Sequence, residues 1–142
     1  MRNERGITLV ELLAVLAIVG IITTLVTSVF INGKKASDRT VTNQTLQQEA
    51  NYILETIRNE YLVLDDATIK LETSPNNLEM NDIVISEGYH YELIEEKINA
   101  NEVITIIVNE IIIDRNESTP IKLKLTKDNL SYTIDTTLSK LR

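Results

Sequence analysis

The residue best placed to do chemistry is a single carboxylate inside an apolar run. Glu11 lies within Gly6 to Ile31, GITLVELLAVLAIVGIITTLVTSVFI, which carries no other charge. At the centre of a membrane helix such a group costs on the order of 2.5–3.5 kcal/mol on insertion scales. Glu11 stands near the start of the run, so it reaches toward the interface and costs less. Leucine would still serve an anchor better, so Glu11 calls for a function and a partner. The remaining candidates are weaker. The one His, His90, sits between Tyr89 and Tyr91 in a strand-like stretch, and alternation turns it away from both tyrosines toward the surface. Cysteine and tryptophan are absent, and no G-x-S-x-G, HExxH or P-loop pattern occurs. The reading is non-enzymatic, with no cofactor. Asp65-Asp66 and Asn81-Asp82 offer oxygen ligands but lack the spacing of a calcium loop, so no metal is expected. Lys122 and Lys124 share one strand face with Lys127 nearby, which reads as a solvated face that protects a sheet edge rather than a polyanion site.

The elements that position these groups follow from periodicity. About 20 apolar residues at 1.5 Å rise cover the roughly 30 Å hydrocarbon core of a bilayer, so residues 7–31 read as a membrane-spanning helix. Residues 32–64 continue it as an amphipathic helix. There Leu46, Ala50, Ile53, Leu54, Ile57 and Tyr61 recur at steps of three and four. No proline falls between Ile7 and Leu64, and Asn32-Gly33 is the one place where the helix is expected to loosen. From Asp65 the period changes to two. Strands are expected at Ile69–Glu72, Leu78–Ile85, Tyr89–Ile94, Val103–Ile113, Ile121–Leu125 and Leu130–Ile134, with turns at Ser74–Asn77, Glu87-Gly88, Asn99–Asn101, Asn116–Ser118 and Lys127–Asn129. The expectation is α+β: a long N-terminal helix whose second half packs on a small antiparallel meander formed by residues 65–142.

Arg5-Gly6-Ile7-Thr8-Leu9-Val10-Glu11, with the apolar helix behind it, resembles the N-terminal signal of type IV prepilins and pilin-like subunits. The resemblance covers about the first 31 residues. It implies that residues 1–6 are a cytoplasmic leader, and that a prepilin peptidase cuts between Gly6 and Ile7 and methylates the new amino group of Ile7. It further implies that Glu11 pairs with the N-terminus of a neighbouring subunit in a filament, and it agrees with the α+β layout. Its implied partners are the prepilin peptidase/methyltransferase, other pilin or pseudopilin subunits, the inner-membrane assembly platform and membrane lipid. Ile7 stands where the family most often has Phe, and Ser28 where many major pilins carry a helix-kinking Pro. A secretory signal is a poorer fit, because the apolar run is too long and Asn32-Gly33-Lys34-Lys35 follows it instead of a small-residue cleavage site. A lipoprotein anchor needs a cysteine. A plain signal anchor accounts for everything except Glu11.

Physical chemistry supports the pairing. With Gly6 removed, the Ile7 amine lies at a helix N-terminus one turn from Glu11, where a carboxylate also favours the dipole. Between offset helices, a buried amine and carboxylate relieve each other's desolvation and set register more than net stability. Gly20 marks a place where two helices could approach closely. The 142 residues leave room for one domain of about 100 residues beyond the helix. The net charge of −7 arises wholly beyond residue 31, since Arg2 and Arg5 balance Glu4 and Glu11. An acidic domain repels nucleic acid, so no direct nucleic-acid binding is expected. Within the resemblance, a minor subunit of a competence machine is favoured over an adhesion pilus or a secretion filament.

Overall fold

The computed structural model describes residues 8–63, 68–99, 102–114 and 116–139. Gly6, Ile7, Leu64, Asp65-Asp66 and Ala100-Asn101, all of which carried expectations from sequence, lie outside them. Helix α1 spans Leu9–Val63. It runs through Asn32-Gly33 without a break, where loosening was expected. One exposed glycine costs a helix only about 1 kcal/mol relative to alanine, and the long run of helix-forming residues around it outweighs that. By its internal packing the chain divides into two units, residues 1–40 and 41–142.

In the second unit eight strands follow the helix: β1 (Thr68–Ser74), β2 (Asn77–Met80), β3 (Ile83–Glu87), β4 (His90–Asn99), β5 (Glu102–Val108), β6 (Glu110–Asp114), β7 (Thr119–Lys127) and β8 (Leu130–Leu138). They form two four-stranded antiparallel sheets, ordered β3-β2-β1-β6 and β5-β4-β7-β8. The architecture is α+β. The single meander expected from sequence is corrected, because β1 pairs with β6 and β4 with β7 across non-consecutive positions.

Two expected strands are in fact pairs. The Leu78–Ile85 stretch splits at Asn81-Asp82, both left-handed (φ 51° and 64°), which is the type I′ geometry that joins tightly twisted strands. Asp128-Asn129 (φ 51° and 62°) makes the same turn between β7 and β8. The Val103–Ile113 stretch breaks at Asn109, whose carbonyl accepts the Thr73 N–H at 2.8 Å. There the chain leaves one sheet and enters the other.

The core explains the helix stripe. Leu46, Ala50, Ile53, Ile57 and Tyr61 are buried together with Ile69 and Leu71 of β1, Leu78 of β2, Tyr91 and Leu93 of β4, Ile113 of β6 and Ile121, Leu123 and Leu125 of β7, with Leu54 packed against them. The amphipathic half of α1 covers the sheets, as its periodicity implies. Each fully buried leucine or isoleucine stabilises the fold by roughly 1.5–3 kcal/mol. A polar pin crosses the same layer. The Ser86 hydroxyl on β3 hydrogen-bonds the Glu49 carboxylate on α1 and lies 2.5 Å from the Tyr91 hydroxyl on β4. Burial pushes the Tyr91 phenol up to about 12.

Candidate functional site

Glu11 stands in the first turn of α1, and its partner within the chain is Thr8, the residue before the helix. The Thr8 N–H donates to Glu11 Oε2 at 2.8 Å and the Thr8 hydroxyl to the same oxygen at 2.9 Å. In return the Glu11 N–H donates to Thr8 Oγ1 at 3.3 Å. This is a reciprocal capping box, with Thr8 at the N-cap and Glu11 at N3. Reading by charge alone overlooked Thr8, although the spacing Thr-x-x-Glu ahead of an apolar run is the sequence signal for this cap. Gly6 and Ile7 lie outside the described residues; among the described residues the structure brings Glu11 together with Thr8.

Behind the cap, the first part of α1, up to Ile31, is apolar on all sides, and nothing among the described residues covers it. Its most apolar stretch has a mean hydropathy of 2.6 with none of it buried, long and apolar enough to cross a membrane. Three threonine hydroxyls along it are satisfied locally. Thr23 donates to the Val19 carbonyl at 2.8 Å, Thr24 to Gly20 at 2.9 Å and Thr27 to Thr23 at 2.8 Å. Hydrogen-bonded to their own backbone, these threonines suit an apolar surrounding. A methyl group placed on Gly20 would meet nothing within 4 Å, so the chain's own packing does not require glycine there.

The other candidates from sequence are accounted for by the sheets. His90 is exposed while Tyr89 and Tyr91 are buried, and its Nε2 lies 3.6 Å from Glu92. Lys124 reaches Glu92 at 2.7 Å, and Lys122 reaches Glu96 at 2.6 Å and Asp135 at 3.4 Å. The hydrogen bond from Lys124 holds the Glu92 carboxyl below its ordinary range, and the bond to Glu96 raises the Lys122 ammonium. Both lysines are thus neutralised across the β4–β7 ladder. Lys127 sits 4.8 Å over the Tyr89 ring. Of the oxygen-ligand candidates, Asp65-Asp66 lie outside the described residues. Asn81 is committed to its turn: its side-chain oxygen accepts the Lys70 N–H at 2.9 Å, and its own N–H donates to the Lys70 carbonyl at 2.9 Å.

A capped, uncovered apolar helix that leads into a small α+β domain defines the class: a protein with a membrane-capable N-terminal helix. The family model for the prokaryotic N-terminal methylation motif matches residues 1–27, so this segment carries the type IV prepilin-like signal. No curated protein and no solved structure matches the chain.

Proposed function

We propose that the protein is a pilin-like structural subunit, a minor one, of a type IV pilus, competence pseudopilus or type II-like secretion filament. It is made as a single-pass membrane precursor whose C-terminal domain lies outside the cytoplasm. Residues 1–6 are its leader, 7–31 its membrane and assembly helix, 32–64 the continuation of that helix, and 65–142 the sheet domain. Prepilin peptidase cuts between Gly6 and Ile7 and methylates Ile7. The subunit then leaves the bilayer by packing its helix against other subunits on an inner-membrane platform, with Glu11 pairing to a neighbouring N-terminus. The methylation motif over residues 1–27 carries this reading.

The Thr8–Glu11 cap favours a second reading, in which Glu11 only begins the helix of an unprocessed, membrane-anchored binding module. Intact mass after co-expression with the host's prepilin peptidase separates the two. The proposal expects a species that has lost Met1 to Gly6 and gained one methyl group. An uncut chain beside a cleaved control substrate leaves the anchored module. Cleavage near residue 30 overturns both and makes the segment a secretory signal.

A further inference from the structure

Apolar contact alone leaves the axial position of α1 on the sheets weakly specified. Leu46, Ala50, Ile53, Ile57 and Tyr61 are buried, and residues four apart share a helix face. A slide by one turn, about 5.4 Å, lets each residue take the place of the one four ahead. Thr42, Leu46, Glu49, Ile53 and Ile57 then fall on the five buried places. Three of these are apolar, and apolar burial has no direction and tolerates exchanges of similar volume. Glu49 is the exception, because it lands on the fully buried place of Ile53. A carboxylate held there without a partner is costly, so this residue bars the slide.

In the observed position the same residue is bonded. The buried Ser86 on β3 donates its hydroxyl proton to the Glu49 carboxylate on α1. With that one proton used, Ser86 accepts from the Tyr91 hydroxyl on β4, 2.5 Å away. The donors run from Tyr91 to Ser86 to Glu49 and tie one point on the helix to a strand of each sheet. A slide in the opposite sense puts Ile53 in the place of Glu49 and Asp65 in that of Tyr61. The Ser86 proton then loses its acceptor inside the core, at the full cost of an unmade hydrogen bond. Polar groups thus close both directions.

We propose that Glu49, with Ser86 and Tyr91, is a register lock. It holds the amphipathic half of α1 at one axial position on the sheets and excludes the position one turn away. Setting register is the best attested use of a polar group among apolar ones. With an apolar residue at position 49, the slid helix presents Thr42, Leu46, that residue, Ile53 and Ile57, and no charge. Thr45 then stands in the place of Glu49 and offers Ser86 a hydroxyl oxygen. The domain thereby gains a second packed position. The lock acts within the sheet domain and is independent of cleavage after Gly6 and of filament assembly.

The chain has no cysteine, so paired spin labels report the position directly. Asn43 and Asn51 on α1 and Thr133 on β8 are exposed. Asn43→Cys or Asn51→Cys, each combined with Thr133→Cys, gives two helix-to-sheet distances in the full chain in detergent micelles. One distance per pair is expected with Glu49 in place, and also in Glu49→Gln, which keeps an acceptor for Ser86. Glu49→Leu should show a second, displaced population in at least a tenth of the molecules, with an unchanged circular dichroism spectrum. Glu49→Ala should do the same, which separates sliding from the bulk of leucine. A single unchanged distance in both apolar variants overturns the proposal, since packing then sets the register. A second population as large in Glu49→Gln as in Glu49→Leu also overturns it. So does unfolding of both apolar variants, which makes Glu49 a source of stability instead of register.

Discussion

Thr8 and Glu11 hold each other across the first turn of α1, the Thr8 N–H on the Glu11 carboxylate at 2.8 Å and the Glu11 N–H on the Thr8 hydroxyl at 3.3 Å. The carboxylate thus has a partner within its own chain, which lessens the cost of holding it in an apolar segment. A cap and an assembly contact make different demands on the side chain. Glu11→Gln keeps the capping geometry, since glutamine also serves at N3, but removes the charge that a neighbouring amine needs. If Glu11 pairs between subunits, Glu11→Gln and Glu11→Leu both abolish incorporation into filaments while membrane insertion persists. If it only caps the helix, Glu11→Gln behaves as the wild type. Shear fractions from cells that express each variant with the complete assembly system distinguish these outcomes.

Gly20 lacks an internal reason to be glycine, since an added Cβ meets nothing within 4 Å. Gly20→Ala should leave the isolated subunit unchanged or slightly more helical, because alanine is favoured over glycine in a helix by about 1 kcal/mol. Where helices of neighbouring subunits approach closely at this position, the same substitution impairs filament formation. Filaments of normal yield and length from the variant would rule out a close approach at Gly20.

Ile53 is fully buried at the middle of the stripe with which α1 covers the sheets. Ile53→Ala removes buried methyl and methylene groups and leaves a cavity, a change that costs about 2–5 kcal/mol in cores of this kind. Ile31→Ala, in the uncovered part of the helix, should leave the unfolding midpoint of the sheet domain unchanged. Denaturant unfolding of the full chain in micelles, followed through the tyrosines, measures both.

The stripe that Ile53 belongs to was legible because only one face of that helix is buried, so its apolar residues recur at three and four. The membrane-length run and Glu11 were equally plain. The partition of the strands was not. Val103 to Ile113 is apolar on both faces, so alternation gives no mark where the chain changes sheets, and the break rests on Asn109 alone. The turn at Asn81-Asp82 uses left-handed residues without glycine, a weaker signal than Asn-Gly, whereas the same turn at Asp128-Asn129 falls where Lys127–Asn129 was expected to turn. The β1–β6 and β4–β7 pairings are non-local and leave no trace in a short window. The cap at Thr8 is encoded in the Thr-x-x-Glu spacing and carries no mark in charge or hydropathy.

Tyr91 couples the stability of the sheet domain to alkaline pH. Its hydroxyl is buried beside Ser86, and its phenol is raised from 10.0 to about 12. The unfolded chain loses this proton near pH 10, while the folded chain keeps it until about pH 12. The folded state therefore binds the proton more tightly, and the resulting stability is fully present below pH 10 and is lost as pH rises through 12. Between these values stability falls by at most about 1.4 kcal/mol per pH unit from this one group. Tyr91→Phe removes the titrating hydroxyl and should flatten the profile over this window, at the expense of the hydrogen bond to Ser86 at neutral pH. The Glu49 carboxylate still accepts from Ser86 in that variant, so Ser86 keeps a partner and the neutral-pH loss should be modest. Unfolding free energies of the two proteins measured from pH 8 to 12 decide the matter: parallel curves would show that Tyr91 does not carry the alkaline slope.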